Sequence, residues 1–407
     1  MKRFFLGMAA GYSTKEVWRH TFAWGRKRDC RELKRYLRER YRGEGPDEDT
    51  RVMLCKNGRS ALALALKAYF EPGEAVLVNG FTCYAVYEAI KAAGLRPIWV
   101  DISREDLNLD MDTLGARIER FVSIRDNGSE RRSAARNDGP ARGGERSAQF
   151  RALARGIIVQ NSLGNPIDMK KIEAFAKKHN LTIIEDLAHS AGVKYPDGRE
   201  TGTVGAAAVF SFGKDKMIDT VSGGAVVLRH PCKHQVKAPS KLPRLSDHLR
   251  ARFYPFFGTI CRNLTSIHLG GALMRCLVKI HWVEKSADNK LDLTRKISKF
   301  EAKLALEQFK KLKKTGEPPL REFYLVQNRS EVLKKLQKAG YYFYGFWYER
   351  PVSPERYYKK VKFPEAECPV ATEVAKEIIN FPTYYSRAEL APARKIVEKH
   401  LIGGENG

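Results

Sequence analysis

The run Leu181-Thr182-Ile183-Ile184-Glu185-Asp186-Leu187-Ala188-His189 decides the architecture: a short apolar, β-branched stretch that ends on two carboxylates and a histidine. Upstream lies a helical pattern from Met169 to His179, and before it Gly156-Ile157-Ile158-Val159, another short apolar run. Downstream come Ala208-Val209-Phe210-Ser211-Phe212 and Gly224-Ala225-Val226-Val227-Leu228. Toward the N-terminus, Arg96 to Asp101, Ala75 to Val78 and Arg51 to Cys55 read as strands. Between them lie helices from Tyr84 to Ala93 and from Ser60 to the break at Pro72-Gly73. Short apolar strands alternating with helices predict an α/β protein with a mainly parallel sheet covered on both faces. Ligands of such sheets lie beyond the carboxyl ends of the strands, so Asp186 and the stretch from Ser211 to Lys216 are the first places to look for chemistry.

A chain of 407 residues, 43% hydrophobic, buries a large core and has room for two or three domains. That excludes a peptide, a disulfide mini-fold and wholesale disorder. The expected division is a basic helical segment at 1–49, a large α/β domain at 50–230, a basic apolar insertion at 231–290 and a smaller α/β domain at 291–407. Charge is the unusual quantity, with 73 Lys and Arg against 47 Asp and Glu, a net of +26. Such a surplus points to an acidic partner: nucleic acid, an anionic membrane or a phosphorylated small molecule. Seven scattered cysteines with no metal-ligand spacing fit a reduced, cytoplasmic protein. Met1 to Ala10 has a basic start before an apolar run, but the run is at the short edge of the roughly 7 to 15 residues a signal peptide needs, so no cleaved signal is expected. No stretch approaches the roughly 20 apolar residues of a membrane span.

Two stretches interrupt the alternation. Arg125 to Arg151 is rich in Arg, Ser, Gly, Asn and Asp and reads as a solvated or disordered insertion. Nucleic-acid binding by the Arg-rich 125–155 region is not expected, because acids lie among the arginines and no known nucleic-acid motif is present. Residues 233 to 282 set nine Lys and Arg against the single acid Asp247, interleaved with aromatic and aliphatic residues. Two readings stand: an interfacial segment lying on an anionic membrane, or a segment whose apolar side packs on the protein's own core while its basic side is solvated or receives an anionic substrate. The second is preferred.

An Asp and a Lys at the ends of two strands, with Gly58-Arg59-Ser60 opening a helix, suit pyridoxal phosphate. That cofactor needs a lysine for its aldehyde, an acid to keep its ring nitrogen protonated and a helix N-terminus for its phosphate. On spacing alone a strand-end salt bridge or a solvated sheet edge accounts for the same residues and is the commoner arrangement.

The full strings narrow the choice. Asn57-Gly58-Arg59-Ser60-Ala61-Leu62, Gly80-Phe81-Thr82, Leu107-Asn108-Leu109-Asp110 after Val100-Asp101-Ile102, Leu163 to Met169, Glu185 to His189, Phe210-Ser211-Phe212 to Lys216 with Gly223-Gly224, and Cys368-Pro369-Val370-Ala371 to Phe381-Pro382 occur in order. Together they resemble the DegT/DnrJ/EryC1/StrS family of sugar aminotransferases, from residue 51 to about 230 and again from about 296 to 385. The resemblance implies the pyridoxal-phosphate-dependent transferase fold of type I, with a seven-stranded sheet, a smaller C-terminal domain and a homodimer. It implies transfer of an amino group, from glutamate, to a nucleotide-linked keto sugar, in cell-surface polysaccharide or secondary-metabolite sugar biosynthesis.

Position by position, it implies that Lys216 binds the cofactor and shuttles a proton, that Asp186 pairs with the ring nitrogen, and that His189 stands by the cofactor's phenolic oxygen. Ser211, aided by Gly58, Arg59 and Ser60 at the helix start, would hold the phosphate. Departures are expected to matter too. Cys83 stands where the family commonly stacks an aromatic ring on the cofactor, so either the next residue, Tyr84, covers the ring or something smaller does. Thr294-Arg295-Lys296-Ile297 replaces NYRM, with Arg295 or Lys296 as candidate cationic substitutes. A sugar dehydratase of the same family would carry histidine in place of Lys216. The remaining alternatives are a homologue that keeps the cofactor without turnover and a membrane-surface binding protein using residues 233–282.

Overall fold

The computed structural model describes residues 4–6, 11–43, 50–118, 154–229, 231–265, 269–283, 289–343 and 347–402; the insertion expected at 125–151 lies outside them. The strands in chain order are β1 (Phe4–Leu6), β2 (Arg51–Cys55), β3 (Ala75–Asn79), β4 (Thr82–Cys83), β5 (Arg96–Val100), β6 (Ala154–Gln160), β7 (Thr182–Asp186), β8 (Ala207–Ser211) and β9 (Gly224–Leu228). Seven of them form one sheet in the order β2-β9-β8-β7-β6-β3-β5. Within it β9 is antiparallel to both neighbours and every other pairing is parallel.

Strands of such a sheet are covered on both faces, which is why they read as near-continuous apolar runs. On one face Val76, Val78, Ile158, Ile184, Val209 and Val226 meet the helix Gly58–Tyr69. Every residue of that helix except Gly58 and Lys67 is buried, as its unbroken Ala-Leu alternation requires of a helix apolar all round. On the other face Phe210 and Val227 pack with Leu33, Leu37 and Phe309, while Leu77, Ile157 and Val159 pack with Ile172.

The basic N-terminal stretch forms two helices, Thr14–Phe22 and Lys27–Tyr41. The first begins with a reciprocal cap between Ser13 and Glu16. Between them Gly25 lies so close to the backbone of Lys299 that a Cβ would stand 2.0 Å from the Lys299 carbonyl oxygen. The apolar start also has a structural use, since β1 pairs in parallel with β11 (Tyr341–Phe343). The C-terminal part adds β10 (Arg321–Leu325), β12 (Val352–Ser353) and β13 (Ile378–Pro382). β10 pairs with β13, and β12 pairs with β4, which ties this part of the chain to the sheet edge beside Cys83.

Residues 233–282 fold into the helices Leu245–Leu264 and Gly270–Lys279. Ala251, Tyr254, Cys261 and Leu277 are buried in one cluster with Tyr12, Val17, Phe300 and Leu304. Part of the segment's apolar surface therefore packs against the protein's own core. Among the described residues, no helix is long and apolar enough to cross a membrane.

Candidate active site

The carboxyl ends of β6, β7 and β8 bring Gln160, Asp186 and Ser211 to one edge of the sheet. The chain runs outward from β3 to β5 and returns to β6 on the opposite side of β3. That reversal opens a crevice of the kind in which α/β sheets bind ligands. A cavity of about 300 Å³ occupies this edge, lined by Gly58, Arg59, Cys83, Asp186, His189, Ser211 and Lys216 among others.

Lys216 Nζ lies 2.9 Å from His189 Nε2. The backbone N–H of Leu163 donates to His189 Nδ1 at 3.2 Å, so a neutral imidazole carries its proton on Nε2. Burial, and the nearby Lys216 and Arg321 charges, hold the His189 pKa well below its ordinary value. Burial likewise lowers that of Lys216, although Cys83 and Asp186 oppose the shift. The ring N–H can then donate to an amine, whereas an ammonium would face it with donor against donor. Lys216 is thus set as an unprotonated nucleophile.

Asp186 is fixed from two sides. Its Oδ1 accepts from the Ala188 N–H at 3.1 Å and its Oδ2 from Gln160 Nε2 at 3.0 Å. Gln160 is itself oriented, because the Thr82 hydroxyl donates to its Oε1 at 2.8 Å. Burial raises the Asp186 pKa, against the pull of the Ala188 N–H, the Lys216 charge and the Gln160 amide. Each carboxylate oxygen retains acceptor capacity for a further donor.

Trp347 completes the wall. Its ring stacks on His189 with centroids 4.8 Å apart, and the Lys216 amine lies 4.2 Å from its centre. The Arg321 guanidinium lies 4.5 Å from the same ring. The sequence reading missed Trp347, Arg321 and Gln160. Gln160 could have been found as a polar residue closing a strand at the functional edge, but nothing local marks Trp347 or Arg321, which arrive from the C-terminal part.

The backbone that carries Lys216 is strained and braced. Asp215 and Val221 both have positive φ, 58° and 72°, costly for non-glycine residues and most so for a β-branched one. Between them Asp219 Oδ2 accepts from the Asp215 N–H at 2.8 Å, and its Oδ1 accepts from the Val221 N–H at 2.8 Å and from the Tyr12 hydroxyl at 2.5 Å. The N-terminal arm thus reaches the lysine's own loop.

The helix start is close-fitting. A Cβ on Gly58 would stand 2.6 Å from Ser211 Cβ, so only glycine lets the two elements meet there. Arg59 forms an ion pair with Glu88. The other two candidate positions make further contacts. The Ser60 hydroxyl accepts from the Asp292 N–H at 3.0 Å and its own N–H donates to Asn57 Oδ1 at 2.9 Å, so it serves the helix cap and a loop contact. Tyr84 starts a helix and stacks on Tyr357 with centroids 4.5 Å apart, and it is Cys83 that lines the cavity. The pairing of Thr82 and Cys83 with Val352 and Ser353 sets this register. Arg295 is held by Asp292 at 3.2 Å and donates to the Leu242 carbonyl at 2.6 Å.

These groups fit pyridoxal phosphate on their own chemistry. A buried amine meets an aldehyde, a braced carboxylate meets a protonated ring nitrogen, and a hydroxyl beside a glycine-opened helix start meets a phosphate.

Comparison with known proteins agrees. Residues 48–239 match the model of the DegT/DnrJ/EryC1/StrS aminotransferase family. A pleiotropic regulatory protein of Geobacillus stearothermophilus is 30% identical over 175 residues, and a GDP-perosamine synthase of Caulobacter vibrioides is 30% identical over 176. Each match covers 43% of this chain and 38% of the relative, so the chain spans well under half the length of either. The crystal structure of a DegT DnrJ EryC1 StrS aminotransferase from Brucella abortus superposes with a TM-score of 0.60 at 19% identity, covering 94% of this chain and 92% of that one. The fold is accordingly that of the type I pyridoxal-phosphate-dependent transferases.

Proposed function

We propose that the protein is a pyridoxal-phosphate-dependent aminotransferase acting on a nucleotide-linked keto sugar, with glutamate as amino donor, a reading supported by the match of residues 48–239 to the DegT/DnrJ/EryC1/StrS aminotransferase family. The observation that carries this reading is the Lys216 amine held 2.9 Å from His189 Nε2, in one cavity with Asp186. When bound, the cofactor supplies an electron sink through which an amino group passes from donor to acceptor.

Lys216 Nζ would be the amine that holds the cofactor, and the same amine would move a proton to and from the substrate carbon. Asp186, braced by Ala188 and Gln160, would pair with the ring nitrogen. His189 Nε2–H orients the lysine and would stand by the phenolic oxygen, while Ser211 and the backbone at Gly58 and Arg59 would hold the phosphate. At the cavity mouth Lys56, Lys214 and Arg250 give a diphosphate a cationic approach, with Asp247 paired to Lys56 at 3.3 Å. Retention of Lys216 favours amino transfer over sugar dehydration. The enzyme works as a homodimer, which sedimentation velocity at micromolar concentration tests.

The reaction is tested by incubating the cofactor-loaded protein with glutamate and a panel of GDP-, UDP- and dTDP-linked keto sugars. Formation of 2-oxoglutarate in step with aminated sugar is the expected result. No 2-oxoglutarate with any acceptor would overturn the reading.

A further inference from the structure

The helices Leu245–Leu264 and Gly270–Lys279 each leave apolar side chains outside the faces that pack on the protein. On the first, Ala251, Tyr254, Gly258 and Cys261 face the core. The opposite side carries Leu245, Leu249 and Phe256, exposed or half-exposed, while Arg252 beside them reaches back over the Phe300 ring. On the second, Leu269, Cys276 and Ile280 are exposed on the flank of the buried Leu277, Leu273 packs on the same core, and Arg275 and Lys279 are exposed on the far side. Leu245 is 72% exposed, and Leu269 and Ile280 55% each. A helix apolar on both sides belongs between two apolar surroundings, and this protein supplies one.

The N-terminal arm extends the same face. Arg252 donates to the Thr21 carbonyl at 2.9 Å and to the Ala23 carbonyl at 2.8 Å, which sets Phe22 and Trp24 beside the first helix. Trp24 is 77% exposed, Phe22 66% and Trp18 61%. At the other end the partly exposed rings of Phe256, Phe257 and Trp282 join the two helices, with Phe257 5.6 Å from Phe256 and 5.5 Å from Trp282.

Charge selects the occupant. Residues 245–282 contain five Lys and Arg and one acid, Asp247; Arg275 and Lys279 are exposed, and the acid is already paired with Lys56 and Arg250. A second copy docking isologously would bring this cationic surface against itself. Nucleic acid would satisfy the cations but has no use for a stripe of Leu and Ile. An anionic lipid surface satisfies both, since hydrocarbon receives the Leu, Ile and aromatic side chains while headgroups receive the Lys and Arg. We propose that the helices Leu245–Leu264 and Gly270–Lys279 and the arm bearing Trp18, Phe22 and Trp24 form one face that docks the protein on an anionic membrane surface.

The test is co-sedimentation of the full-length protein with vesicles of phosphatidylcholine alone and of phosphatidylcholine with phosphatidylglycerol. Binding to the anionic vesicles only, weakened by salt, is expected. The variants Phe22→Ala/Trp24→Ala and Arg275→Glu/Lys279→Glu should each lower partitioning by about tenfold or more while keeping the wild-type circular dichroism and cofactor spectrum. Lys216→Ala should bind vesicles as the wild type does, so a failure of the proposed reaction leaves this result distinct. Absence of binding to either vesicle overturns the proposal, and so does binding unchanged in both double variants. A change of sedimentation coefficient in those variants without any vesicle binding would assign the face to a second copy instead.

Discussion

The sheet edge that holds Lys216 and the surface formed by the N-terminal arm and the helices Leu245–Leu264 and Gly270–Lys279 use charge in opposite ways. At the sheet edge the titratable groups are individually partnered: Asp186 with Ala188 and Gln160, Asp219 with Tyr12 and two backbone N–H groups, Lys216 with His189. On the two helices five Lys and Arg face the single acid Asp247, and they and the arm carry exposed Leu, Ile and Trp. A buried charge without its partner is expensive, so the first pattern reports a site built for defined proton positions. The second reports a surface that interacts as a whole. The net +26 therefore says little about the reaction, because a cofactor phosphate and a diphosphate occupy only a few cations.

The two regions should fail differently when altered, and the contrast weakens if they do not. Lys216→Ala is expected to lower turnover by at least about 10³-fold, since it removes both attachment and proton transfer; steady-state amino transfer checks it. Asp186→Asn should cost about 10²- to 10³-fold by withdrawing the charge that holds the ring proton. It should leave thermal stability nearly unchanged, because an amide fills the same space.

A third change joins the regions, since Tyr12 comes from the arm. Burial, with Asp215 beside it, pushes the Asp219 pKa up to about 7. A carboxyl whose folded pKa stands above its unfolded value of about 3.9 favours folding most at low pH. That contribution is lost as pH rises from about 4 to about 7, at about 1.4 kcal/mol for each unit of displacement. The wild type should therefore lose stability relative to Asp219→Asn across this window, as urea titrations at successive pH values would show. Parallel curves would mean that Asp219 is not the buried group described here.

Gln160→Leu removes one donor from Asp186 and should slow turnover by about tenfold, the worth of one hydrogen bond to a charged group. Trp24→Ala, fully outside the site, should change stability by less than about 0.5 kcal/mol and leave turnover alone. A large loss of activity there would collapse the distinction between the two regions.

Much of the sheet was legible in the sequence because its strands are short apolar runs with polar ends, and because period and turn residues agree along 51–228. Asp186, Ser211 and Gly58 close strands or open a helix and so stand out locally, whereas Lys216 and His189 lie beyond the strand ends and were singled out through the family resemblance. What stayed hidden depends on distant pairings. Tyr84 and Cys83 are neighbours in the sequence, and only the pairing of β4 with β12 decides which one faces the cavity. Trp347 and Arg321 lie more than 100 residues beyond Lys216 and carry no local mark. The role of Tyr12 depends on a contact spanning 207 residues. The helices Leu245–Leu264 and Gly270–Lys279 were legible, but amphipathic patterning cannot say how many sides of a helix find a partner.

The central claim is that Lys216, set by His189 and Asp186, attaches pyridoxal phosphate. The most direct measurement is the absorbance spectrum of the purified protein with added cofactor, for the wild type and Lys216→Ala. A long-wavelength band that shifts on adding glutamate and is missing in Lys216→Ala is the predicted result; a wild type that stays colourless after reconstitution, or the same band in Lys216→Ala, would contradict it.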